Sequence, residues 1–313
     1  MAPRKSISVS DRIGALEECA IKFKDHLIDT SGVALTAILR LAVAQCARDA
    51  VYCKECAKEL PRDACLRPGT KIYGKVAAIH HSVPRLEGVS DQAEQVIVTI
   101  VHTMVNHQGR MDKDWYDDSL EAISKVGLVP ESVQQQEKRH CLVISAFAEI
   151  MCIATMSHGI NMAFLTMGRP VPRLPSQDEI LGGTAHGQGP LLLDWSTILK
   201  KAPTQDLSVA FAYHFKQGDI DKKSKDYLRI SEKARRDMKV YGDPLHPSIC
   251  LVFAAEDIWM LHHMESIYYI PEKDMMALFR TRLDPTVRCA NEFSRFDVEF
   301  VAHEVAANNN CGY

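Results

Sequence analysis

Apolar residues recur along much of the chain at three- and four-residue steps, the spacing of amphipathic helices. The clearest case covers residues 35–60, where Leu35, Leu39, Ala42, Val43, Cys46, Ala50 and Cys53 share one face. Pro61 stops that helix, since its ring clashes with the preceding turn and it has no N–H to donate. Upstream, residues 11–27 read as a helix with Ser10 as its cap, and Asp29, Thr30, Ser31 and Gly32 form a turn. Downstream, the pattern predicts a short helix over 72–81 and an apolar segment over 93–105 opened by Ser90 or Asp91. A helix over 112–125 follows, with Gly127 just past its end. A long helical segment over 131–167 begins after Pro130 and closes at Gly168 and Pro170. Residues 168–200 lose the period and gain proline and glycine, the mark of a linker, a lid or an excursion over a cleft. Periodicity resumes over 222–239, 248–269, after Pro271, and over 286–307. Sustained β-branched alternation is missing, so the pattern predicts an all-α fold.

Composition narrows the class. A chain of 313 residues can bury a large core, and 46% hydrophobic content is ordinary for a globular protein. The net charge of −3 gives no reason to expect nucleic acid; Lys222-Lys223 and Arg235-Arg236 read as solvated helix faces. The basic N-terminus has no apolar stretch behind it, unlike a secretory signal. No run reaches the ~18 apolar residues of a membrane helix, so no membrane is expected. Ten irregularly spaced cysteines do not make a disulfide framework, and the default setting is reducing and cytoplasmic.

The sharpest chemical feature is the C-x-x-C pair Cys53 and Cys56, with Cys46 seven residues earlier. On one continuous helix Cys46 and Cys53 lie about 20° apart, and Cys56 about 80° from Cys46. Such a pair can be redox-active, one thiol attacking a peroxide or disulfide and the other resolving it, or it can be merely structural. A position deep in a helix lacks the N-terminal amides that stabilise a thiolate, and a continuous helix lacks the knuckle turn that zinc sites use.

Histidines and carboxylates form a second set: Glu137 and His140 at an E-x-x-H step, Glu149, Glu256, His262, His263, Glu265, His303 and Glu304. The step suits an iron-binding bundle, which also requires a second such step; His262 and Glu265 run in reverse order. Within residues 249–270, Glu256 and Asp257 interrupt an apolar helix, and buried acids need partners. Glu256, His262, His263 and Glu265 are the candidate metal ligands there, for non-haem iron or an axially held haem. Trp259, Met260, Met264 and Tyr268 could line a pocket for a small aromatic ligand, and Arg288 could anchor a substrate carboxylate. The bland alternative is an interface helix with one wet face. Dinucleotide, phosphate-loop, serine-hydrolase and H-E-x-x-H zinc motifs are not found.

The first half resembles the carboxymuconolactone decarboxylase and alkylhydroperoxidase AhpD-like superfamily. Three pieces carry the resemblance: Cys53 and Cys56 late in an alanine- and leucine-rich helix; residues 89–133, with a turn ending in Gly109-Arg110 and then Gly127-Leu128; and the Asn161…Gly168 close of the long helix. It covers about residues 10–175. Redox-active members resemble E-x11-C-x2-C-x3-H, but Leu41 stands at the glutamate position and Leu60 at the histidine position. A relay would then come from His102, His107, His140 or His158 on the neighbouring helices, with His102 and His158 preferred.

The resemblance implies an AhpD-like helical domain over 10–175; the composition and apolar pattern of the rest predict a Gly/Pro-rich linker or lid over 176–200 and a C-terminal helical region over 201–307 packed on the first. It also implies a homo-oligomer, with sites at subunit contacts. The expected function is that of an enzyme on a small organic substrate, an oxidoreductase of the peroxidase kind working through Cys53 and Cys56. The alternatives are a lyase-like, metal- or haem-assisted or acid-base conversion of an aromatic or carboxylate substrate, and a non-catalytic binding or assembly protein.

Overall fold

The computed structural model describes residues 9–30, 32, 34–54, 56, 89–107, 111, 113–128, 136–184, 257, 260, 261, 263, 264, 267, 300 and 301. Within them the chain forms α1 (Val9–Asp29), α2 (Ala37–Ala50), α3 (Asp91–Asn106), α4 (Lys113–Lys125), α5 (Gln136–Thr166) and α6 (Gln177–Gly182). No strand occurs among the described residues, and the fold there is all-α. The remaining predicted helices over 72–81, 222–239 and after Pro271 lie outside them.

The bundle is built around α5, which packs on α2 most extensively and also on α1, α3 and α4. The reason is its composition. Every residue from 142 to 154 is buried, so this stretch of the helix has no wet face and needs a shell of other helices around it. Residues 142–166 are in fact long and apolar enough to cross a membrane by length and composition, against the expectation from the sequence. Here the stretch is instead the mostly buried axis of the bundle.

Alanines 37, 42, 44, 47 and 50 line α2, and small side chains let the two helices approach closely. Ser157 Oγ on α5 donates to the Ala44 carbonyl of α2 at 2.7 Å. Earlier along α5, Trp115 and Tyr116 of α4 meet Phe147 edge-on, with ring centroids 5.5 and 5.2 Å apart. Edge-to-face contacts of this kind add to burial by placing the positive ring edge on the negative face.

Helix ends follow the local sequence. Thr36 caps α2, accepting from Leu39 N, and Ser90 caps α3, accepting from Ala93 N. Gly127 and Gly168, with φ of +69° and +63°, take the left-handed conformation just past α4 and α5. Ser10 lies inside α1 rather than before it.

One expectation is corrected. The cysteine helix does not run to residue 60; α2 ends at Ala50. Tyr52 N bonds to Asp49 O and Cys53 N to Ala50 O, which tightens the chain into a turn. Asn106 Nδ2 of α3 also donates to the Ala50 carbonyl at 2.9 Å, so that acceptor is occupied without the next α-helical amide. The stretch 176–200 opens with α6, begun by a capping box in which Ser176 and Glu179 bond each other's backbone amides. Lys24 of α1 holds Glu179 at 2.6 Å, Thr184 Oγ1 donates to Asp29 O, and Gly183 sits tightly against the Ile28 backbone. Residues 185–200 are outside the described part.

Helical residues of the C-terminal region also reach the bundle. Leu261 and Met264 are buried within its core, and Met264 Cε lies 3.6 Å from where a Cβ on Gly159 of α5 would stand, an ordinary contact distance.

Candidate thiol site

Two of the three cysteines read as one stripe separate at the end of α2. Cys46 lies inside the bundle, where burial, aided by the Asp49 charge, pushes its thiol well above the ordinary range. Cys19 is similarly buried and pushed up to about 12. Neither is a nucleophile at neutral pH. Cys53, beyond the turn, is half-buried, and Cys56, in the helical segment that restarts there, is buried.

The restart changes the chemistry open to Cys53. Its sulfur accepts the Cys56 backbone N–H at 3.4 Å, an amide-to-sulfur bond at the head of a helical turn. A sulfur in that position receives the backbone partial charge that the interior of a helix withholds. The objection that the pair lies deep in a helix is therefore removed.

His102 completes the group. It is buried on α3, and its Nδ1 lies 3.4 Å from Cys56 Sγ. The two sulfurs and an imidazole nitrogen all lie within 4.8 Å of one another. His102 and Asn106 are four residues apart on α3 and so share a face. Asn106 bonds the last carbonyl of α2 while His102 meets the thiol beyond it.

The other predicted residues are not in this group. His158, on α5, is partly buried and its pKa is lowered by burial; its Nδ1 has no hydrogen-bond partner among the described residues. His263 faces α1, with its Nε2 3.4 Å from Lys22 Nζ. Burial and that ammonium lower its pKa, and a fixed positive charge there opposes a metal cation. Glu256, Trp259, His262, Glu265, Tyr268, Arg288, His303 and Glu304 lie outside the described residues, as do the side chains of Glu137 and His140.

A second polar cluster sits inside the bundle. Arg40 of α2 is fully buried; its Nη2 meets Asp257 Oδ1 at 2.5 Å and its Nη1 donates to Thr30 O. His26 Nε2 meets the same Asp257 oxygen at 2.6 Å. Nearby, Glu149 of α5 accepts the Ala34 and Leu35 amides at 2.9 and 2.8 Å. Burial, with the Asp257 charge second, pushes Glu149 up to about 8 against the opposing effects of Arg40 and the two amides. Asp257 is held below its ordinary value because Arg40 and His26 together outweigh its burial. Arg40, His26 and Asn106 were missed in the sequence; an arginine between Leu39 and Leu41 of an apolar stripe was the available signal for the first.

The fold and this site define an all-α bundle with a C-x-x-C pair and a histidine supplied by a neighbouring helix. Compared with protein-family models, with curated proteins and with solved structures, the chain finds no match.

Proposed function

We propose that this protein is a thiol oxidoreductase that reduces a small hydroperoxide through Cys53 and Cys56, as the AhpD-like resemblance implies. The observation that carries the reading is the Cys56–His102 contact at 3.4 Å beside a half-buried Cys53. An imidazole on a buried thiol is a base in position, and it stands in for the relay residues replaced by Leu41 and Leu60.

The chemistry divides between the two sulfurs by access. The Cys53 thiolate, steadied by the Cys56 amide, attacks the peroxide; an S–O bond forms, the O–O bond breaks, and an alcohol leaves with one proton. Cys56 then gives its proton to His102 Nδ1 and attacks the Cys53 sulfenic acid. The S–S bond forms, the S–O bond breaks, and the departing hydroxide takes the proton from His102 as water. An external dithiol returns the pair to the reduced state and becomes a disulfide itself. A cytoplasmic setting and a homo-oligomer go with this reading.

Differential alkylation with peptide mass spectrometry, with and without one equivalent of peroxide, tests it. Fast labelling of Cys53 and a reversible Cys53–Cys56 disulfide are expected. Slow labelling and no disulfide would overturn the mechanism.

A further inference from the structure

We propose that Cys53, Cys56 and His102 also form a binding site for a thiophilic divalent cation, with Zn2+ as the reference ion. Two thiolates and an imidazole are the donors such an ion prefers. At usual bond lengths, a tetrahedral ion holds a sulfur and a nitrogen about 3.6 Å apart and two sulfurs about 3.8 Å apart. The Cys56–His102 separation of 3.4 Å is already close to that. All three donor atoms lie within 4.8 Å of one another, so Cys53 has at most about 1 Å to close. Cys53 lies past the end of α2, beyond the turn at Val51 and Tyr52, with its N–H on the Ala50 carbonyl, and is half-buried rather than locked in the core.

The break after Ala50 supplies the turn that a continuous helix would deny a zinc site. The Cys56 amide on Cys53 Sγ shows the chain already curled around that sulfur. Coordination through His102 Nδ1 leaves Nε2 protonated, the usual arrangement for a ring held by an outer partner. Three protein ligands leave a fourth position, which the half-buried side of Cys53 can open to water or an external thiol.

The ion and the disulfide exclude each other, a consequence that rests on the redox reading although the site itself does not. Binding occupies both thiolates. Oxidation by one hydroperoxide takes one electron from each sulfur, joins them, and consumes two protons as alcohol and water form. The ion then loses two of its three ligands. Bound cation thus keeps the pair reduced and inactive, and oxidation expels it.

The test uses the full-length protein, reduced and stripped with a chelator, then titrated with Co2+. Expected is one equivalent bound with a thiolate-to-cobalt charge-transfer band, displaced by Zn2+. C53S, at the half-buried position, is the decisive variant and should abolish the band. H102A should weaken binding by more than about 100-fold, beyond what loss of an outer partner costs. C46S should leave it unchanged, and circular dichroism checks that each variant is folded. Absence of stoichiometric binding, or a band that survives in folded C53S, overturns the site. Peroxide added to the metal-free protein separates the two readings. A Cys53–Cys56 disulfide without cobalt binding sinks the cation site alone; cobalt bound through both cysteines without a disulfide sinks the redox reading and leaves the site standing.

Discussion

The Arg40 guanidinium and the Asp257 carboxylate meet at 2.5 Å with both side chains out of water, across 217 positions of sequence. Neither charge is tolerable in the core without the other. Replacing one partner, as in D257A or R40M, should cost about 3–5 kcal/mol, because it strands a buried charge. Replacing both by apolar residues should cost less than the sum of the two. Urea unfolding of the two single variants and the double variant measures this. Additive losses would show that the two groups are not an energetic pair.

Glu149 gives the fold a pH dependence of definite sign. Its carboxyl stands at about 8 in the fold against an ordinary 4.5, so between those values the native state holds a proton that the unfolded chain has released. Its contribution is therefore full below about pH 4.5 and is lost as pH rises through about 8. Asp257 works oppositely: its contribution is present above its ordinary value of 3.8 and is lost as pH falls through its depressed folded value. Wild type should lose stability relative to E149Q as pH rises from 5 to 8, as followed by denaturant unfolding in steps across that range. A constant difference between the two proteins would remove Glu149 as the cause.

His102 should matter for the second thiol step more than for the first. H102Q should leave the initial reaction of Cys53 with peroxide nearly intact and slow disulfide closure by about 10²–10⁴-fold. Trapping the sulfenic acid with a dimedone-type reagent measures the split, since the acid accumulates when closure is slow. Equal slowing of both steps would mean that His102 serves the pair as a whole.

Asn106 makes a test that touches neither sulfur nor imidazole. N106L removes the amide that holds the Ala50 carbonyl and should cost about 1 kcal/mol. It should also slow Cys53–Cys56 closure, because α3 would no longer be registered on the end of α2. Unfolding and closure rates on the same variant check both effects.

Packing at Gly32 gives a further expectation. A side chain there would meet Leu35 O at 2.5 Å and Glu149 Oε2 at 2.6 Å. G32A should destabilise by about 1–3 kcal/mol through displacement of that carboxyl, measured by thermal unfolding.

The helices were legible where one residue type decides them. Ser90 as the cap of α3, Gly127 past α4 and Gly168 past α5 all follow from local chemistry. Asp257 was legible as an acid in need of a partner, but the partner was not, since Arg40 comes from another part of the chain. The end of α2 was hidden for a similar reason. Its apolar period continues through Cys53, and what interrupts it is a turn reinforced by an amide from α3. His102 and His158 were preferred among four histidines but not told apart, because the place of His102 beside Cys56 depends on how α3 lies against the chain beyond α2.

The stop at Ala50 divides one sequence stripe into two chemical territories. Cys46 and Cys53 occupy equivalent phases of the same apolar repeat, yet one is sealed within the bundle and the other is half-buried beyond the turn. In the proposed disulfide or cation-bound state, the turn at Val51 and Tyr52 is the segment between that sulfur pair and the buried residues Val43, Ala44, Cys46 and Ala47.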